Sequence, residues 1–224
     1  PKLEEVLRDP EQLAGLARFA EMAFGAVGFG LPDIQLMHCD VPEWNHLDGL
    51  RIPEAAERVG MEPFEFYARL TVASHRNARV LNHTYSGDAG DEDALRAVLA
   101  HPLCTIETDT ILTAQGHQNP ASFGTFPRVL STYVRAGLFS LEEAVRKMTG
   151  AAAERLGWSD RGFVRRGAAA DLVVFDPARL RDTAGFEAPS REPEGIDHVL
   201  VNGTLVLEAG RYDASARAGT VLRS

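Results

Sequence analysis

The chain has 224 residues, 45% hydrophobic and 25% charged, proportions that suit a globular protein with a real core. Its net charge of −9 argues against a nucleic-acid partner, which would need a basic face, and no apolar run approaches the ~20 residues that cross a bilayer. Two cysteines, Cys39 and Cys104, are too few for a disulfide framework; with a charged Pro1-Lys2-Leu3-Glu4-Glu5 start and no signal peptide, they make cytoplasm the expected compartment.

Residues 2–24 have helical spacing, with Leu13, Leu16, Ala17, Ala20 and Phe24 on one side and Arg18 and Glu21 off it. Gly25, Gly28, Gly30 and Pro32 end that helix, and Ile34 to Cys39 reads as a short strand. His38-Cys39-Asp40 with His46 is either a metal cluster or a strand end with a buried cysteine, and the spacing is not that of a structural zinc site. Pro53 opens one short helix closed by Gly60. Pro63 opens another, with Phe66, Tyr67, Leu70 and Ala73 recurring at three and four. Ala78 to Tyr85 reads as a strand carrying Asn82, His83 and Thr84 at its end. His83 there is a candidate substrate contact or a turn cap. A Gly- and Asp-rich turn, 87–90, leads to Asp91 as N-cap of a helix over 92–100.

The run Cys104-Thr105-Ile106-Glu107-Thr108-Asp109-Thr110 is short and rich in β-branched residues, and His101-Pro102 stops the helical pattern before it. It predicts a buried strand delivering Asp109 to its C-terminal end. In parallel α/β architectures that is where active-site residues are carried, although a lone aspartate there can simply cap a turn. A polar loop follows over 110–124, and its His117 could line a pocket mouth or lie exposed. Thr125 is placed as the cap of a helix with Pro127 in its first turn and Val129, Leu130, Tyr133 and Val134 as its buried stripe. Gly124 before it either presents backbone N–H groups to an anion or permits a tight turn.

Gly137 ends that helix, and Ser140-Leu141-Glu142-Glu143 has the form of a capping box. The helix behind it should bury Leu141, Val145, Met148, Ala152 and Leu156. Beyond about residue 160 the rhythm changes to strands: 163–164, 172–175, 199–201 and 205–207. Asn202-Gly203 between the last two is a hairpin signal, since both residues tolerate positive φ. The 177–195 segment, with three prolines, has no periodicity and reads as a loop. A domain boundary is expected near 158–160, dividing residues 1–158 from 159–224.

These residues resemble a known family. Gly124-Thr125-Phe126-Pro127-Arg128-Val129-Leu130, Glu142-Glu143-Ala144-Val145-Arg146-Lys147-Met148-Thr149, Ala170-Asp171-Leu172-Val173-Val174-Phe175-Asp176 and Val201-Asn202-Gly203 are similar to the C-terminal half of N-acyl-D-amino-acid deacylases, amidohydrolase-superfamily enzymes. The resemblance implies an α/β fold: the C-terminal part of a metal-dependent (β/α)8 TIM barrel over 1–158, then strands of a small β-sandwich over 159–224. It implies hydrolysis of an amide C–N bond, converting an N-acyl-D-amino acid to a D-amino acid and a carboxylate, with one or two zinc ions. In that family the aspartate matching Asp109 is both catalytic and a metal contact, taking a proton from the metal-activated water and passing it to the leaving amine. Gly124, Thr125, Arg128, His83 and His117 are the candidate substrate contacts.

Three departures accompany the resemblance. Thr108-Asp109-Thr110 stands where the family usually has Ser-Asp-Gly, and Asn119-Pro120-Ala121 where many members have His-Pro-Arg. An arginine suits a substrate carboxylate; Arg128 could replace it or be a helix-surface residue. The family's first-strand His-x-His pair is absent from the seven histidines, and 158 residues are short of the ~250 of a typical barrel. The main metal ligands are therefore expected in a missing N-terminal part of the same protein, and a homo-oligomer fits as well. The alternatives are another amide hydrolase of the superfamily, dihydroorotase- or hydantoinase-like, or a non-catalytic half that folds against a partner chain.

Overall fold

A computed structural model describes residues 2–84 and 92–222. The expected 87–90 turn, the Asp91 cap and Tyr85 lie outside the described residues. Helices and strands are mixed, as expected of an α/β chain. It divides into two compact units, Pro1–Glu92 with Leu112–Asn119, and Asp93–Ile111 with Pro120–Ser224. The expected boundary near 158–160 falls inside the second unit.

In the first unit the opening helix is two helices, α1 (Lys2–Val6) and α2 (Pro10–Ala26), not one. The break is local chemistry. The Asp9 carboxylate accepts from the N–H groups of Glu11 (3.0 Å) and Gln12 (3.2 Å), and Pro10 has no N–H to lose in the first turn. Strand β1 (Ile34–His38) pairs antiparallel with β2 (Arg79–Asn82), Ile34 opposite Asn82 and Leu36 opposite Val80, with a bulge between Leu36 and His38. Ile34, Gln35, Leu36 and Met37 are all buried, so both faces of β1 are covered. Helices α3 (Ile52–Arg58) and α4 (Pro63–Ala73) bring Ala55, Ala56, Phe66 and Leu70 onto Leu36 and Ile52, and Trp44 lies 5.3 Å from Phe66 between ring centres.

The second unit holds α5 (Glu92–Ala100), then α6 (Ala121–Arg128), α7 (Leu141–Met148), α8 (Gly150–Arg155) and an antiparallel sheet. After Pro127, which has no N–H for the helical ladder, the helix continues in wider π geometry over Val129–Val134. Strands β3 (Leu172–Phe175), β4 (Ile196–Val201), β5 (Thr204–Glu208) and β6 (Arg211–Tyr212) form the sheet in that order. The hairpin between β4 and β5 turns at Asn202 (φ 47°) and Gly203 (φ 81°), both left-handed as its sequence requires. Residues 163–164 form no strand. The Phe163 ring instead fills the space over Gly150, where a β-carbon would lie 2.6 Å from it.

Two further expectations change. The 177–195 segment is pinned: one Arg135 nitrogen donates to the carbonyls of Pro177, Ala178 and Leu180, Arg181 pairs with Glu194, and Leu180 is buried. The capping box at Ser140 closes one way only. Ser140 Oγ accepts from the Glu143 N–H at 3.2 Å, while the Glu143 carboxylate turns to Arg146 at 2.7 and 2.9 Å. The buried positions of α7 and α8 are Ala144, Lys147, Gly150 and Ala153, and Leu156 is exposed. The helical stripe is thus rotated from the apolar one, because a lysine takes a core position.

Candidate functional site

Asp109 stands in the second unit at the end of an extended stretch that joins no sheet among the described residues, so the expected strand over 104–110 does not form. Its first half is anchored. Ile106 packs with Val129 and Ala144, and its N–H donates to the Lys147 carbonyl at 3.2 Å. Three residues on, Asp109 is exposed and holds φ at 44°, in the left-handed region that costs a non-glycine residue energy. Thr110 Oγ1 donates to Thr108 Oγ1 at 3.2 Å beneath it. The stretch therefore presents an accessible carboxylate on a left-handed backbone, which suits a group that exchanges protons with a ligand.

Gly124, Thr125 and Arg128 lie on α6, which starts at Ala121, four residues before the expected cap. Thr125 is interior, its hydroxyl donating to the Ala121 carbonyl at 2.9 Å. The Gly124 N–H is spent on the Pro120 carbonyl at 2.9 Å, so it offers no donor to an anion. The reason for glycine here is Asp182, whose Oδ1 would lie 2.5 Å from a β-carbon. Arg128, with 59% of its side chain exposed, reaches 3.8 Å from Asp182 Oδ2 and otherwise faces solvent.

His83 and His117 belong to the first unit and meet through a residue the sequence reading passed over. Gln35, 6% exposed, accepts at Oε1 from His83 Nε2 (2.9 Å), while its Nε2 donates to the Gly49 carbonyl (2.7 Å) and toward His117 Nε2 (3.4 Å). On the other side of the His83 ring, Arg51 donates to Nδ1 at 3.0 Å. A guanidinium can only donate, so Nδ1 is an acceptor and the proton sits on Nε2. Burial first, then the Arg51 charge, holds the His83 pKa below its ordinary 6.5. The His117 N–H donates to the Met37 carbonyl at 2.6 Å, tying the 112–119 loop to β1. His83 follows the end of β2, which pairs antiparallel with β1.

Nearby, His38 Nδ1 contacts Asp48 Oδ2 at 2.8 Å, and Asp48 Oδ1 accepts from the Cys39 N–H at 3.2 Å. Cys39 is fully buried, and burial pushes its thiol pKa up, the surroundings of a structural cysteine. Among the described residues no group of three or more His, Cys, Asp or Glu side chains could hold a metal ion. The described residues thus do not by themselves fit a zinc centre. Gln35 and Lys147 are functional residues without a periodic signal: Gln35 lies on the face of β1 opposite Ile34 and Leu36, and Lys147 lies off the Leu141–Val145–Met148 stripe, yet both are buried.

A profile described as the amidohydrolase family matches residues 124–207. Over 133 residues the chain is 45% identical to the N-acyl-D-aspartate deacylase of Alcaligenes xylosoxydans xylosoxydans, a match covering 59% of this chain and 26% of that protein. The chain thus spans about a quarter of the length of that curated relative. A crystal structure of D-aminoacylase, said to define a novel subset of amidohydrolases, superposes with a TM-score of 0.70 at 35% identity, covering 85% of this chain and 38% of that one. The N-acyl-D-glutamate deacylase from Bordetella bronchiseptica, complexed with zinc and a phosphonate mimic of the tetrahedral intermediate, gives 0.71 at 32% identity, covering 87% and 38%.

Proposed function

We propose, from a chain related in sequence and fold to the N-acyl-D-amino-acid deacylases of the amidohydrolase family, that the intact protein hydrolyses the amide bond of a small N-acyl-D-amino acid. Water adds to the acyl carbon, the C–N bond breaks, and a D-amino acid and a carboxylate leave. Asp109 is the residue of this chain that carries a proton from the attacking water to the departing nitrogen. The observation that supports this role is its exposed carboxylate on a left-handed backbone.

A zinc ion, as in the complexed relative, supplies Lewis-acid polarisation when bound. Asp109 would offer it one carboxylate, the other ligands coming from outside this chain. In the same reading, the first unit and the 93–155 segment are the last portion of a (β/α)8 barrel, and the β3–β6 sheet belongs to a small β domain. Two unpaired cysteines, Cys39 and Cys104, support a cytoplasmic location. Ala121, in place of the family's arginine, favours a second reading in which the substrate is an amide without a free α-carboxylate, such as a cyclic one.

The test is a metal analysis of the full-length protein with a screen of N-acetyl-D-amino acids beside dihydropyrimidine and hydantoin substrates. Release of D-amino acids by a zinc-loaded enzyme is expected. Turnover of cyclic amides alone would select the second reading, and no turnover of either class would refute both.

A further inference from the structure

Lys147 is the least expected side chain in the second unit: 1% exposed, at a core position of α7, in the Glu142–Thr149 stretch to which no role has been given. Its Nζ donates to the carbonyls of His101 (2.6 Å) and Cys104 (3.2 Å), and Glu143 Oε1 lies 3.8 Å away. Its own carbonyl accepts from the Ile106 N–H at 3.2 Å. One residue thus grips the 101–106 segment at three points, by side chain and main chain, just before the chain reaches Asp109. An apolar residue of similar length would fill the same volume but leave two carbonyls without this donor, so packing alone does not account for a lysine.

We infer that Lys147 is a positioning residue for Asp109: it fixes the segment that leads into the exposed, left-handed aspartate. The inference rests on the proposed role of Asp109. The physical reason is proximity: the backbone that Lys147 holds at 101–106 is the nearest anchored stretch before Asp109 among the described residues. Misplacement of a reacting group by ~1 Å can cost on the order of 10²-fold in rate.

The test uses the full-length protein with Lys147→Met, which keeps length and removes the donors, and Lys147→Arg, which keeps charge and donors. Amide hydrogen exchange over 104–111 should quicken in Lys147→Met while the 196–208 hairpin is unchanged, without substrate or turnover. In zinc-loaded enzyme, kcat should fall by about 10²-fold with KM within a few-fold, and Lys147→Arg should recover most of the loss. Unchanged exchange over 104–111 would overturn the clamp. Faster exchange with kcat intact would overturn the positioning role. If the unaltered protein hydrolyses no amide, the proposed function fails by itself, and the exchange measurement still decides the clamp. Should Lys147→Met not accumulate folded, Lys147→Gln carries the same measurements.

Discussion

Gly124 and Asp182 occupy one another's space. The carboxylate of Asp182, only 11% exposed, sits where a side chain on residue 124 would begin, 2.5 Å from a β-carbon built there. Oδ1 is also held by the Ala184 N–H at 3.1 Å, so it cannot swing away freely. Gly124→Ala should therefore destabilise the second unit by about 1–3 kcal/mol, the usual cost of forcing an atom into a filled site. Asp182→Ala should suppress much of that penalty in the double variant. Urea midpoints of the four proteins measure the coupling, and strictly additive losses would show that the two residues do not compete.

His83 should titrate below its ordinary pKa of 6.5, because burial and then Arg51 disfavour its charged form. The folded state then binds fewer protons than the unfolded chain once the pH falls below 6.5. Stability should decline as pH drops from 6.5 toward the folded midpoint and level off beneath it. An NMR titration of the His83 ring reads the midpoint directly, and Arg51→Met should raise it. A wild-type midpoint at or above 6.5 would contradict the Gln35–His83–Arg51 arrangement.

Replacing Asp109 by Asn keeps a residue that tolerates φ of 44° and removes the exchangeable carboxylate. In the full-length enzyme kcat should drop by about 10²–10⁴-fold, the range expected for losing a general acid–base group, with the melting temperature little changed. Near-normal turnover would remove Asp109 from the chemistry.

The 224-residue chain alone should take up zinc weakly and below one equivalent, since its described residues offer no group of three ligands. Equilibrium dialysis with metal analysis checks this. One tightly held zinc per chain would mean that a ligand set had been missed.

Local chemistry in the amino-acid order was enough for several elements. Asn202-Gly203 specified its hairpin because few residue pairs accept two consecutive left-handed conformations. Pro53 and Pro63 marked helix starts because a missing N–H costs nothing in a first turn. The capping box at Ser140 was half right. The Ser140 hydroxyl acts on its own backbone, but Glu143 had a stronger partner in Arg146, one turn away.

The 104–110 strand failed for a different reason. β-branched residues favour extended backbone, and the stretch is extended, but a strand also needs neighbours that no local pattern contains. Likewise, nothing in the spacing around Thr125 announced a helix beginning at Ala121.

By itself the amino-acid order determined the α/β character, the tight turns, several helix starts and the stretch bearing Asp109, all governed by interactions within a few residues. Folding alone decided that Gln35 joins His83 to His117, that Asp182 demands a glycine at 124, and that Lys147 is buried to hold the approach to Asp109. Those pairings link residues 48 to 82 positions apart in the first case and about 45 to 60 in the others, close only after packing has excluded water and obliged each buried polar atom to find a partner.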